Sequence, residues 1–229
     1  MENELPVGGR WIEVAPDRLV RWLEAFAERH GGATAEAGPA TVTFRAADGA
    51  VAECHVPFPP LAADGGADDA DDVGQAGYGW QIAEHACSDR TVGVFLVRLG
   101  GYAAGIFTGP APSLAASKVG SRLVHGRSAA GGTSQHRFAR RREKQAAEAL
   151  GVAADTALGV FGRYAGRIDA VVLGGDRRAM AQLRDDPRLA PYFALAVERF
   201  LTVPDPRLTV LRGTPRLFRA IRIRLTGPA

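Results

Sequence analysis

Apolar positions recur at two spacings along this chain, and the changes from one to the other mark its elements. Helical spacing comes first. Pro16 and Asp17 open a segment in which Leu19, Trp22, Leu23 and Phe26 share one face, and Gly31-Gly32 close it. Strand-like runs at 41–44 and 51–56 flank Asp48-Gly49, a hairpin turn signal, and Pro57-Phe58-Pro59-Pro60 stops that element. A second hairpin is predicted from the runs 91–99 and 102–108 around Gly100-Gly101. Its first strand, Val92-Gly93-Val94-Phe95-Leu96-Val97, has no polar alternation, as expected of a strand covered on both faces. Further along, the pattern predicts a strand at 114–125, helices at 137–150 and 154–166, and a buried strand at 168–173. A helix capped by Asp176 and running through Leu183 follows, then strands at 200–203 and 218–225.

This order predicts an α/β fold, a mixed β-sheet with packed helices. Residues 1–60 are read as an N-terminal helix and hairpin accessory to the main sheet, 61–77 as an acidic flexible loop, and 78–229 as the main domain. The segment 61–77 holds five aspartates, four glycines and almost no large apolar side chain. It has little to offset the ~1–2 kcal/mol per residue cost of ordering a backbone.

Composition narrows the class. A hydrophobic content of 46% suits a globular chain with a real core. No apolar run approaches the ~18–20 residues of a membrane span. The N-terminus carries Glu2 and Glu4 and no apolar stretch, and Cys54 and Cys87 make no disulfide framework. The expectation is cytoplasmic residence, no membrane partner and reduced thiols. The net charge is only +3, but it is segregated. Eight Lys/Arg and one acid lie between Lys118 and Lys144, and six Arg and no acid between Arg207 and Arg224. Segregation of this kind suggests a phosphate-binding face.

The chemistry is concentrated in Gly131-Gly132-Thr133-Ser134-Gln135, which leads into a helix bearing Arg137, Arg140, Arg141, Arg142 and Lys144. Cations near a helix N-terminus cost ~0.3–1 kcal/mol each when exposed, and Arg140 and Lys144 repel at i, i+4. Such placement points to an anionic partner, although a run of charges is ordinarily a solvated face. Glutamine cannot act as a general base at neutral pH. Its amide can orient a water, and its backbone N–H can stabilise developing negative charge.

These residues resemble the catalytic loop of the Vms-like release-factor family, in its actinobacterial branch. That family is related to the catalytic domain of eukaryotic and archaeal class-1 release factors, where the loop reads Gly-Gly-Gln. Two flanking segments extend the resemblance: Ser117-Lys118-Val119-Gly120-Ser121-Arg122-Leu123-Val124-His125-Gly126-Arg127, similar to the strand before the loop, and Ile168-Asp169-Ala170-Val171-Val172-Leu173-Gly174-Gly175-Asp176, similar to the later strand and glycine turn. It covers roughly 90–225. Ser134 stands where the release-factor loop has its second glycine.

The resemblance implies a ribonuclease-H-like catalytic domain and peptidyl-tRNA hydrolysis on stalled ribosomal large subunits. The catalytic set would be Gln135, Gly132 and Ser134. Lys118, Arg122, Arg127, Arg137, Arg140, Arg141, Arg142 and Lys144 would bind RNA. The partners would be peptidyl-tRNA and the large subunit with its RNA, with no metal and no small-molecule cofactor. Two other readings remain open on the same fold: endonucleolytic cleavage near the tRNA 3′ end, and a non-catalytic ribosome- or RNA-binding factor. Cys54-His55 and His85-Ala86-Cys87 have zinc-ligand chemistry at no standard zinc spacing. Gly174-Gly175-Asp176 lacks a Walker lysine and is read as a strand-to-helix turn.

Overall fold

The computed structural model describes residues 9–61, 75–98, 100–121 and 134–228, with 75–76 and 134–143 described as backbone. Contacts divide the chain into two units, Met1–Ser88 with Arg219–Ala229, and Asp89–Phe218. In chain order the elements begin with β1 (Arg10–Val14), α1 (Pro16–Arg29), β2 (Ala33–Ala37), β3 (Thr41–Ala46), β4 (Val51–His55) and α2 (Gln75–Cys87). Next come β5 (Val92–Arg98), β6 (Gly101–Thr108), β7 (Ser113–Ser121), α3 (Ser134–Phe161), β8 (Ala170–Gly175), α4 (Arg177–Leu183) and α5 (Ala190–Ala194). The chain ends with β9 (Ala196–Leu201), α6 (Leu208–Arg212), α7 (Thr214–Phe218) and β10 (Ile221–Thr226).

In the first unit the strands form an antiparallel sheet of order β1-β10-β4-β3-β2. The period-2 pattern decides its faces. Val14, Val42, Phe44, Ala52, Cys54, Ile221 and Ile223 join Leu19, Leu23 and Phe26 of α1 and Ile82, Ala83 and Ala86 of α2 in one buried cluster. The predicted turn at Asp48-Gly49 is present. The Ala50 amide and His30 both bond the Asp48 carboxylate, at 2.9 and 2.7 Å, and hold it below its usual carboxylate range. This differs from the expectation that residues 1–60 are accessory to the main sheet. They build a sheet of their own, and β10 leaves the 78–229 segment to complete it.

The second unit holds the mixed sheet, in the order β7-β6-β5-β8-β9. The first three strands form an antiparallel meander, and β8 and β9 continue it in parallel with β5. This is the α/β arrangement expected, a mixed sheet with packed helices. Central β5 is buried at every position from Val92 to Val97, which is why its sequence shows no alternation. On one face Phe95, Tyr102, Ala104, Ile106, Val171 and Leu173 pack against Ala153, Ala154, Ala157, Val160 and Phe161 of α3. On the other, α6 comes close enough that a Cβ on Gly105 would sit 2.9 Å from Leu211 Cδ2, so a side chain here would have to displace Leu211.

Two sequence expectations change here. The helices drawn at 137–150 and 154–166 are one helix of 28 residues, followed by a 3-10 turn at Gly162–Tyr164. Gly151 does not stop it. The position is exposed, while Ala149, Ala153 and Ala154 around it are buried. Their burial outweighs the ~1 kcal/mol that a helical glycine costs. The strand drawn at 114–125 is described only as far as Ser121.

Candidate RNA-facing catalytic site

The end of the second unit that carries the candidate site follows from strand direction. Register aligns Ser121 with Gly101, Gly101 with Arg98, Val97 with Gly175, and Gly174 with Leu201. The C-terminal ends of β5, β7, β8 and β9 therefore lie along one edge of the sheet, where open α/β folds place their ligand sites. Ser121, the last residue of β7, lies at this edge, and residues 122–133 lie outside the described residues.

At Gly174-Gly175-Asp176 the strand-to-helix reading holds. Gly175 adopts φ +100°, and a Cβ there would lie 2.8 Å from the Val97 carbonyl carbon, closer than a real Cβ approaches. The Asp176 side chain accepts from the Arg178 and Ala179 amides at 2.7 and 3.1 Å and caps α4.

Of the candidate catalytic residues, Ser134 and Gln135 are the first two residues of α3. Gln135 thus belongs to the first helical turn rather than to a loop ahead of it. The backbone N–H groups of that turn have no acceptor within the helix, and the turn carries the positive end of the macrodipole. Gly132, Arg122 and Arg127 lie outside the described residues. Arg137, Arg140, Arg141 and Arg142 lie on the first turns of α3. Lys144, Glu148, Gly151 and Asp155 are exposed at helical spacing, opposite the buried line of Ala149, Ala153, Ala157 and Val160. Stepping that exposed line back by three and then four residues reaches positions 141 and 137. Lys118 is exposed on β7, across from Ala104, and so on the α3 side of the sheet. The shared strand face expected of Lys118, Arg122 and Arg127 can be assigned to Lys118 alone.

Not every arginine of this arginine-rich chain is available to a partner. Arg167, Arg177, Arg184 and Arg222 lie over the rings of Tyr164, Phe200, Phe193 and Trp11. Arg188 is held by Asp186 and Asp155 at 2.7 and 2.9 Å, which raises its already high pKa. The four candidate residues of the zinc reading are occupied otherwise. Cys54 is buried in the first-unit core while His55, next along the strand, takes the opposite face. His85 bonds the Phe58 carbonyl at 2.9 Å, and Cys87 accepts from Arg219. Among the described residues no three His, Cys, Asp or Glu side chains cluster to hold a metal ion.

A feature that sequence reasoning missed lies on the sheet face opposite α3, at the same edge. There the end of β7, the end of β5 and the segment before α6 enclose a cleft of about 410 Å³. Arg98, Val119, Ser121, Asp205, Arg207 and Leu208 line it. Arg98 Nη1 donates to the Val203 carbonyl at 2.8 Å, which fixes that guanidinium at the cleft. The available signal was the acid-free run beginning at Arg207, but nothing in the order of residues ties it to Arg98 or Ser121.

A protein-family model described as Actinobacteria/chloroflexi VLRF1 release factor matches residues 90–224. The chain belongs to that family. The match begins one residue into the second unit and covers its sheet, α3 and the cleft. No curated protein sequence matches the chain. Among solved structures, the archaeal translation termination factor aRF1 is similar at 14% identity and a TM-score of 0.42, over 74% of this chain and 47% of that one. The chain thus spans about half the length of the archaeal factor. The Vms1 mitochondrial localization core is similar at 12% identity and a TM-score of 0.38, over 90% of this chain and 80% of that one. Among the described residues no helix is long and apolar enough to cross a membrane.

Proposed function

We propose that this release-factor family member is a peptidyl-tRNA hydrolase that frees nascent peptides from tRNA on stalled large ribosomal subunits. The observation that carries the reading is the position of Gln135 in the first turn of α3, within the family match. The buried side chains described on α3 begin at Ala149 and run to Phe161. At 1.5 Å per residue, position 135 stands ~21 Å along the helix axis from Ala149. A helix anchored through its second half is suited to carry a reactive first turn into a confined RNA site.

In this mechanism the Gln135 amide orients a water against the ester carbonyl, and the backbone N–H groups of the turn, which have no acceptor within the helix, donate to the oxyanion that forms. The helix dipole adds favourable charge at the same point. Collapse of the tetrahedral species breaks the bond to the ribose oxygen. One proton of the water ends on that oxygen and the other is lost to solvent as the new carboxylic acid ionises, leaving a tRNA 3′-hydroxyl and a peptide carboxylate. Gly132 gives the preceding backbone the freedom to approach the acceptor end, and Ser134 follows it into the helix. Lys118, Arg122, Arg127, Arg137, Arg140, Arg141, Arg142 and Lys144 bind phosphates of tRNA or ribosomal RNA. This chemistry requires neither a metal nor an organic cofactor.

The reading is tested by incubating the protein with stalled large subunits that carry labelled peptidyl-tRNA, then mapping both products. Free peptide with intact tRNA ending in CCA is expected. A shortened tRNA would replace hydrolysis by nuclease action, and neither product would leave a binding factor.

A further inference from the structure

We propose that the cleft between the end of β7 and the segment before α6 is a ribonucleotide-binding subsite that seats the single-stranded 3′ end of the tRNA. The inference rests on the hydrolase reading for its choice of RNA, but its binding chemistry stands on the cleft itself. The volume of about 410 Å³ lies within the ~300–1,000 Å³ range of small-molecule sites. It is lined by three kinds of group that a ribonucleotide needs together. Arg98 and Arg207 supply cations for a phosphate, and guanidinium groups match phosphate oxygens in pairs. Arg98 is already oriented by its bond to the Val203 carbonyl, which leaves its remaining N–H donors for a ligand. Val119 and Leu208, 36% and 38% exposed, are large apolar side chains left partly open at this cleft, and they offer a surface for the face of a base.

Asp205 distinguishes a nucleotide from a bare anion. A carboxylate beside two guanidinium groups weakens the site for phosphate alone. It is instead an acceptor for a ribose hydroxyl, the group by which a protein tells RNA from DNA. Ser121 adds a hydroxyl that both donates and accepts. The cleft therefore combines phosphate, sugar and base chemistry, whereas a short apolar peptide would use the apolar surface and offer the arginine pair no phosphate.

Its place suits the same occupant. Ser121 is the last residue of β7 and precedes Gln135 in the chain, so the cleft lies at the end of the strand that comes before the catalytic segment in sequence. It lies on the opposite sheet face from α3. A nucleotide held there gives the acceptor end a fixed point separate from the phosphate contacts along α3.

The test uses the full chain and a fluorescently labelled, 5′-phosphorylated CCA ribotrinucleotide followed by anisotropy, with 5′-AMP and the deoxy trinucleotide as competitors. The ribotrinucleotide should bind, and the deoxy form should compete at least tenfold less well. Competition by 5′-AMP as strong as by the unlabelled ribotrinucleotide would mark a site for free nucleotide and overturn the assignment to the tRNA end. Arg207→Gln should weaken binding about tenfold. Asp205→Asn should remove the preference for ribose while retaining affinity within a few-fold. Both positions are exposed, so folding is not at issue, and circular dichroism checks it. Unchanged ribotrinucleotide affinity in Arg207→Gln, or a ribose preference that survives Asp205→Asn, would overturn the proposal. So would displacement of the probe by a short apolar peptide and not by nucleotides. Peptide release by a chain whose cleft variants bind CCA normally would remove the subsite and leave the hydrolase reading standing. Cleft-dependent CCA binding without any release would do the reverse.

Discussion

Reversing one charge at the start of α3 should move stability and RNA binding in opposite directions. Arg137 is the fourth residue of a helix that begins at Ser134, so it lies in the turn where the macrodipole is felt. Replacing it with Glu removes an unfavourable cation and adds a favourable anion, for about 0.6–2 kcal/mol at ~0.3–1 kcal/mol per charge. The i, i+4 neighbour Arg141 then changes from a repulsive to an attractive partner, a further ~0.4–1 kcal/mol. Screening at moderate salt favours the low end of that sum, about 1 kcal/mol. In a chain of this size that corresponds to a rise in Tm of ~2–4 °C. Ribosome or tRNA binding should weaken in the same variant. The slope of log K against log salt should become shallower by roughly one, because a phosphate contact releases ~0.7–0.9 counterions. Thermal melting followed by circular dichroism and co-sedimentation across a KCl series measure the two effects. A higher Tm with an unchanged salt slope would return the stripe to a solvated surface. A lower Tm would refute the helix start at Ser134 on which the sum depends. The same reversal at Arg140 or Arg141, in the second turn, should keep the i, i+4 gain, with Lys144 or Arg137, but lose most of the dipole gain, since the dipole acts mainly in the first turn.

Two further outcomes are expected. Gly151→Ala and Gly159→Ala should each stabilise by about 0.5–1 kcal/mol in denaturant melts, because both positions are helical and an added Cβ meets nothing within 4 Å; a loss of stability in either would mean that α3 is interrupted there. Native alkylation should modify the half-exposed Cys87 and spare Cys54, whose burial pushes its pKa from 9.0 up to about 12. The folded state then keeps a proton that the unfolded chain releases, so the Cys54 contribution is intact below pH 9.0 and is lost as pH rises towards about 12. A Cys54→Ala variant should flatten that decline, and an unchanged alkaline profile would contradict the assignment.

Local signals were legible in the sequence where local forces decide the structure. The unbroken apolar run of β5, the Asp48-Gly49 turn, the amphipathic face of α1 and the Asp176 cap each follow from a few neighbouring residues. Pairings and packing that depend on distant partners were not legible, although the strand at 218–225 itself was expected. β10 lies between β1 and β4, with Arg10 opposite Leu225, and no local pattern specifies a pairing across almost the whole chain. α2 carries Gly77 and Gly79, which lower its helix propensity. It forms because it packs on α1, so closely that a Cβ on Gly79 would reach 3.0 Å from Leu23 Cδ1. In the candidate site, the order of Gln135 and the basic stripe was legible because both fall within one short stretch. The cleft was not, since Arg98, Ser121 and Arg207 come from three separate segments.

The most direct test of the central claim is single-turnover release of labelled peptide from peptidyl-tRNA on stalled large subunits by Gln135→Ala. The reaction is run at protein concentrations where co-sedimentation shows binding equal to that of the unsubstituted chain. Loss of release by at least a hundredfold, with the tRNA 3′ end intact in both reactions, is the predicted result. Release by the variant within a few-fold of the unsubstituted chain would contradict the assignment of Gln135 as the residue that positions the water.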